Sequence, residues 1–306
     1  MSKKVIITGA SGFIGKALCR HLIEVGYDVV GLSRNPDRGS NLLVGQVNVV
    51  KWDARSATEW RDYADGAYAI VNLAGENIGS GRWTKQRKER ILKSRLDAGK
   101  AVVEAVEKVK TKPQVVIQSS GIGYYGDSGD EIVDETSRPG SGFLVEVAKQ
   151  WERTTEQVKS FGVRHIVIRT GVVLGKDEGF LPRVMMPFRF FVGGHIGSGK
   201  QWISWIHIDD EVRAIRFLME RESLEGAFNL SAPNPITSRD FSKALGKAMK
   251  RPAWLPVPGF VLRLFMGEMA DELILSGQKA MPKRLQESKY EFRYSEAEAA
   301  LREILT

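Results

Sequence analysis

The sequence predicts a doubly wound α/β domain, a parallel sheet covered by helices on both faces, with a smaller C-terminal lobe. Three observations carry this reading. Short β-rich runs alternate with helical segments through the first half of the chain. A glycine-rich turn, Thr8-Gly9-Ala10-Ser11-Gly12-Phe13-Ile14-Gly15, joins the first run to the first helix. After Leu174 the rhythm changes: residues 176–203 are rich in Gly, Phe and Met, and Pro233, Pro235, Pro252, Pro256 and Pro258 punctuate a helical tail.

The elements follow in order. Val5-Ile6-Ile7 is the first strand. Ile14, Ala17, Leu18, Leu22 and Val25 share one face of a helix over 13–25, which Gly26 stops. Residues 27–32, 47–52 and 69–73 read as the second, third and fourth strands. Ile91, Leu92, Leu96, Val102, Val103 and Val106 form the apolar stripe of a helix from about Thr84 to Val109. Strands at 115–117 and 166–168 are separated by one helix over about 143–161. Strands alternating with helices in this way imply right-handed crossovers and a parallel sheet. Residues 192–199 read as a mobile glycine-rich loop, 206–220 as a strand end and helix, and 227–230 as a further strand. The expected division is a dinucleotide-binding domain over 1–175, to which 204–232 return, and a lobe made of 176–203 and 233–306.

Composition excludes several classes. With 306 residues, 42% hydrophobic and 27% charged, the chain has the make-up of an ordinary globular protein. The single Cys19 allows no intramolecular disulfide, and four histidines with one cysteine show no zinc-ligand spacing. No secretory pattern precedes the first strand and no run reaches membrane-spanning length, so a cytoplasmic protein without a membrane partner is expected. The net charge of +8 points to anionic partners, but it is concentrated. Arg82, Lys85, Arg87, Lys88, Arg90, Lys93 and Arg95 face only Glu89 within one fourteen-residue segment, which holds six of the eight excess charges. Nucleic acid would call for interleaved aromatics and a second basic element; only Trp83 is present, so no nucleic-acid partner is expected.

The glycine-rich turn carries the chemistry. Following a strand and opening a helix, it suits a dinucleotide. Gly9 permits the tight turn, Gly12 lets a pyrophosphate approach the backbone, and Gly15 lets helix and strand pack closely. Amides at the helix N-terminus, through Ser11, Phe13 and Ile14, face the anion. A glycine-rich turn without a ligand is the alternative. NAD would require a carboxylate at the tip of the second strand, where the chain instead reads Leu32-Ser33-Arg34. A hydroxyl beside a guanidinium suits the 2′-phosphate of NADP, with Arg38 assisting; otherwise Arg34 is a solvated loop charge.

These residues resemble the extended short-chain dehydrogenase/reductases, the superfamily of nucleotide-sugar epimerases and dehydratases with a Rossmann domain. The resemblance covers nearly the whole chain. Its carriers are the glycine spacing, Asp53, Asn72-Leu73-Ala74-Gly75, Ser119-Ser120 with Tyr125-Gly126, and Trp205-Ile206-His207-Ile208-Asp209-Asp210. It implies that Asp53 touches the adenine, that Leu73, Ala74 and Gly75 line the cofactor cleft, and that Val172 approaches the nicotinamide. Asn72 through Ile78, Arg82-Trp83, Ser94-Arg95 and Gly194 through Ile208 are similar to an atypical epimerase-like branch with its own C-terminal domain.

One departure from the superfamily stands out. Aligning Glu152 with the usual downstream glutamate puts Leu144 and Ala148 where the catalytic Tyr and Lys belong, and Gly121 replaces the catalytic serine. Tyr124 and Ser120, just beyond the fifth strand, are the replacement candidates; the bland alternative is that Tyr124 and Tyr125 pack the loop. Glu76 is a further acid beside the cleft glycine, or a cap for the next segment. Arg82 and Arg95 are expected to meet cofactor phosphates or an anionic substrate, while Lys85, Arg87 and Lys88 face solvent. Lys149 is expected in solvent and His207 to be structural. The functional expectation is an NADP(H)-binding oxidoreductase or epimerase-like protein acting by hydride transfer on a small, anionic substrate. The alternative is an NADP(H)-binding sensor without catalysis, and self-association is left open.

Overall fold

The computed structural model describes residues 3–35 and 47–306. Within them, the central sheet has seven parallel strands: β1 (Lys4–Thr8), β2 (Asp28–Ser33), β3 (Asn48–Lys51), β4 (Ala69–Asn72), β5 (Val115–Gly121), β6 (Arg164–Thr170) and β7 (Gly226–Leu230). Their spatial order is β7-β6-β5-β4-β1-β2-β3. The chain winds outward from β1 through β2 to β3, then returns to β4 and winds the other way. This reversal opens a crevice at the carboxyl ends of β1 and β4, where Thr8 and Asn72 stand in register.

Apart from the edge strand β3, which has no buried residue, the strands are buried on both faces over most of their length, which explains their near-continuous apolar sequence. Val5 and Ile7 enter one core with Leu18 and Leu22 of helix α1 (Phe13–Glu24). Ile6, pointing the other way, joins Trp52, Trp60, Val102 and Val106 in the second. Val102 and Val106 belong to α2 (Lys85–Lys108), whose Thr84 side chain accepts from the Arg87 amide as an N-cap.

Polar residues at the strand ends pin the crevice floor. The Thr8 hydroxyl donates to Asn72 Oδ1 at 2.6 Å and accepts from the Ala74 amide at 3.1 Å. Asn72 Nδ2 in turn donates to Gln118 Oε1, which also accepts from Thr155.

Several expectations are corrected. The helix expected over 143–161 ends early as α3 (Phe143–Arg153), and a 3-10 helix covers Glu156–Phe161. Thr155 is fully buried between them, bonding Gln118 and His165, so its side chain belongs to the core network and not to a helix face. Residues 181–189, part of the stretch rich in Gly, Phe and Met to which the sequence pattern assigns no element, form α4 (Leu181–Arg189). Pro182 sits in the first turn, where its missing amide costs little. Leu181, Met185 and Phe188 face a third core with Trp205, Phe241, Leu245, Leu301 and Ile304. Pro187 inside the helix disguised the period. A parallel pair, Val172–Leu174 with Trp205–His207, also lay beyond the sequence reading. The glycine-rich loop is laced to residues 253–257: Gly193 bridges Ala253, Ile196 bridges Val257, and the Gly197 amide donates to the Val257 carbonyl.

Among the further helices of this second half are α5 (Ile208–Glu220), α6 (Ser238–Met249) and α7 (Gly259–Met266).

Candidate functional site

The first turn is built for close approach. Gly9 adopts a left-handed φ of +68°, and a Cβ there would stand 3.0 Å from the Leu73 carbonyl oxygen. A Cβ on Gly15 would collide with the Gly9 carbonyl oxygen, so only glycine lets α1 start this near β1. Gly12 is the N-cap of α1, exposed, and no side chain caps the helix. The positive end of the helix dipole is thus open to an anion. Ser11 is half-buried in the turn. The Phe13 ring lies under Gly175 and Gly179, which have no Cβ to obstruct it.

A cleft of about 430 Å³ begins at Ile14 and Leu73. One wall is the end of β5, with Ser119, Ser120 and Gly121; another is α3, with Leu144, Ala148 and Trp151; a third is Thr170 to Val173. Residues 272–278, with Ile196 and Gln201 to Ser204, close the far side. Leu144 and Ala148 therefore give an apolar face where a Tyr and Lys pair would stand in the resembled superfamily.

The polar groups of the cleft are few. Arg95 is buried, its guanidinium donating to the carbonyls of Glu76 and Ile91, both at 3.0 Å, and lying 4.6 Å from the Trp151 ring centroid. Burial pushes its pKa down to about 10, with nearby Glu76 opposing the shift. Ser120 donates to Glu152 Oε1 at 2.7 Å. Glu152 is gripped by both edges of Arg169, Nε to Oε1 at 2.9 Å and Nη2 to Oε2 at 3.0 Å. Arg169 Nη1 also donates to the Tyr125 hydroxyl, which donates to Asn229 Oδ1 at 2.7 Å. Burial pushes the Tyr125 phenol up to about 12, against the pull of Arg169. Behind Thr170 lies Glu211, fully buried. It accepts from the Thr170 hydroxyl at 2.8 Å, and its Oε2 has no partner among the described residues. Burial raises its pKa to about 8, so it is largely a neutral acid at pH 7. Gln201 Oε1 is likewise buried without a partner among the described residues.

The structure distributes the expected site residues unevenly. Gly75 packs against the Arg95 guanidinium, Ala74 is buried in the floor, and Val172 stands in the cleft wall. At the tip of β2, Arg34 is exposed without an ion-pair partner among the described residues. Ser33 is engaged with its own turn, donating to the Asn35 carbonyl. Asp53 is exposed at the end of β3 and accepts from the amides of Arg55 and Ser56. Arg38 lies outside the described residues.

Tyr124 is a correction. It is absent from the cleft lining and lies instead beside a separate hollow with Lys149, Glu152 and His165, its ring 3.5 Å below the Arg169 guanidinium. The one-turn helix Ile122–Tyr125 rotates it to the far side of the Arg169–Glu152 pair. The basic segment is a second correction. Arg87 turns inward onto Glu76, the Asn77 carbonyl and Ser80, and Lys88 pairs with Glu268. Arg90 also faces Glu76, and Lys93 bonds Asp97. Glu76 is thereby an ion-pair partner and not a free acid, and much of the local excess is neutralised within the fold.

Sequence reasoning missed Glu152, Glu211 and Glu272 as site residues. Glu152 served only as an alignment mark. Glu272 accepts from the amides of Phe143 and Leu144, a partnership 128 residues long that no local pattern encodes.

Comparison with known proteins agrees with this architecture. Residues 5–231 match the NAD dependent epimerase/dehydratase family, and residues 257–304 match a domain of unknown function, DUF1731. The chain is 37% identical to the epimerase family protein YfhF of Bacillus subtilis (strain 168) over 302 residues, covering 98% of this chain and 97% of that protein. It is 37% identical to the chloroplastic epimerase family protein SDR39U1 homolog of Arabidopsis thaliana, covering 98% and 86%. The human epimerase family protein SDR39U1, solved with NADPH, superimposes with a TM-score of 0.88 at 31% identity, covering 99% of both chains. No helix among the described residues is long and apolar enough to cross a membrane. The chain belongs to the NAD dependent epimerase/dehydratase family.

Proposed function

We propose that the chain binds NADP(H) across the crevice between β1 and β4 and is an epimerase-like oxidoreductase. Its substrate is a small molecule with an apolar body and an anionic or polar end. The open N-terminus of α1 holds the pyrophosphate, and Arg34 reads the 2′-phosphate. The absence of a carboxylate at the tip of β2, where the chain reads Ser33-Arg34, and the NADPH-bound human relative support this choice. In this reading residues 1–175 and 204–232 carry the cofactor, while 176–203 and 233–306 form the substrate lobe. The lone, buried Cys19 suits a reducing compartment such as the cytoplasm.

The observation that carries the chemistry is the Ser120–Glu152–Arg169 chain at the cleft wall. When bound, the cofactor supplies or takes a hydride at a substrate carbon. Ser120 gives its proton to Glu152 and so presents lone pairs to the cleft. It accepts the proton of a substrate hydroxyl as its own passes to Glu152; reduction runs the same path backwards. Arg169 holds both carboxylate oxygens in place. Arg95 supplies the cation for the anionic end of substrate or cofactor.

The test is absorbance at the NADPH band with a panel of ketones, aldehydes and acyl carbonyls. Ser120→Ala and Glu152→Gln are expected to reduce kcat by at least about a hundredfold with the NADPH Kd little changed. A second reading, an NADP(H)-dependent sensor, is favoured by the apolar Leu144 and Ala148 wall. Tight NADPH binding with no turnover across the panel would establish it.

A further inference from the structure

Two stretches of the C-terminal part expose large apolar side chains. Phe190 and Phe191 at the end of α4 are 69% and 55% exposed, and Trp254 is 64% exposed. In α7, Phe260, Leu264 and Phe265 are each about 70% exposed, and no residue of that helix is buried. Trp254 is tied to the aromatic pair of the first stretch: its Nε1 donates to the Phe191 carbonyl, and its amide to the Gly193 carbonyl. α7 starts two residues after Val257, which bridges Ile196. Phe191 is held at a left-handed φ of +63°, unusual for a bulky side chain, with Arg251 over its ring at 4.5 Å.

The chain segments that carry these side chains are themselves basic, and the acids Glu268 and Asp271 follow directly after α7. Residues 179–208 and 250–267 contain Arg183, Arg189, Lys200, Lys250, Arg251 and Arg263, and no Asp or Glu. Of these six, only Arg263 has a carboxylate partner, Asp271, among the described residues. An apolar, aromatic surface flanked by the cations Arg189, Lys250 and Arg251, unpaired among the described residues, with Glu268 and Asp271 already engaged by Lys88 and Arg263, is complementary to an anionic lipid surface. A second copy of this chain fits it poorly. A two-fold contact would set this cationic rim against itself, which opposes association.

We propose that this face, Phe190, Phe191, Trp254, Phe260, Leu264 and Phe265 with their flanking Arg and Lys, docks the protein on anionic membranes. The expectation of no membrane partner rested on the lack of a spanning segment; lying on a bilayer needs only an apolar face. The loop that follows Phe191 supplies Ile196 to the cleft, so the docking face and the cleft share one chain segment.

The test is sedimentation of the full chain with vesicles, either phosphatidylcholine alone or with about a third phosphatidylglycerol. Binding to the anionic vesicles, weakened by salt, is expected. In Phe260→Glu/Phe265→Glu it should fall at least about tenfold, while NADPH binding and Tm stay unchanged because neither side chain is in the core. No binding to anionic vesicles overturns the proposal, as does undiminished binding by the double variant. A wild-type dimer in light scattering that the double variant dissociates would assign the face to a second copy instead.

Discussion

The carboxylate of Glu272 accepts a hydrogen bond from the backbone amide of Leu144 at 2.9 Å, and its other oxygen accepts from Phe143 at 2.8 Å. A residue of the C-terminal segment thus caps the helix that forms the apolar wall of the cleft. Gly142 stands at the cap with φ +124°, a conformation open to glycine, and the Glu272 carboxylate packs where a Cβ would point. Charge and hydrogen bonds act together there, since a carboxylate at a helix N-terminus also meets the helix dipole.

Glu272→Ala is therefore expected to cost about 1–2 kcal/mol, read as a lower urea midpoint. Glu272→Gln should lose less, because an amide oxygen still accepts from one of the two donors. Equal stability of wild type and Glu272→Ala would show that the cap contributes nothing.

Glu211 makes stability pH-dependent in an unusual direction. Its folded pKa is raised, so the contribution is intact below the ordinary carboxyl pKa and is lost as pH rises toward about 8. Across that window the unfolded chain releases a proton that the folded chain keeps. Glu211→Gln should thus stabilise the protein increasingly between pH 5 and pH 8, which paired Tm scans would measure. A pH-independent difference would mean that Glu211 is already ionised in the fold.

Arg169 is buried, and its bidentate pair with the half-buried Glu152 is largely shielded from water. Arg169→Met leaves the Glu152 carboxylate without its cation and is expected to cost about 3–5 kcal/mol. Arg169→Met/Glu152→Met should recover much of the loss, since both charges leave together. Chemical denaturation of the two singles and the double gives the coupling directly.

Cofactor selectivity tests Arg34. Removing a guanidinium that meets the 2′-phosphate should weaken NADPH binding by about 1.5–3 kcal/mol, with NADH little affected. Fluorescence titration of Arg34→Ala with both nucleotides is the measurement. Equal losses would leave Arg34 as a solvated charge.

Gly15→Ala probes the α1–β1 junction. The added methyl meets the Gly9 carbonyl, so the helix must shift, at a cost of about 1–3 kcal/mol. NADPH affinity should fall alongside Tm, because the shifted part is the helix end facing the phosphate.

Much of the architecture was legible because local periodicity encodes it. Val5 to Ile7 reads as a doubly buried strand, the Ile91-to-Val106 stripe as a helix, and Gly9, Gly12 and Gly15 as a strand–turn–helix junction. What misled was also local. Pro187 and the run of Phe and Met hid α4, whose core contacts lie on Phe241 and Leu301, far along the chain. Tyr124 looked like a cleft residue because it follows β5, yet one turn of 3-10 helix set it behind Arg169. The basic run looked like an anion site, yet Glu76, Asp97 and Glu268 neutralise half of its excess in the fold.

The sequence by itself determined the doubly wound sheet, its glycine-bound crevice and the lack of an acid at the tip of β2, since each is set by neighbours within a few residues. Only the tertiary structure decided which polar groups meet at the cleft wall and directly behind it. Ser120, Glu152 and Arg169 come from β5, α3 and β6, and Glu272 reaches Leu144 across the whole second half of the chain. Such meetings depend on how strands order and helices pack, and burial then fixes their charge: Glu211 is an acid in sequence and a mostly neutral carboxyl at pH 7 only because the fold excludes water from it.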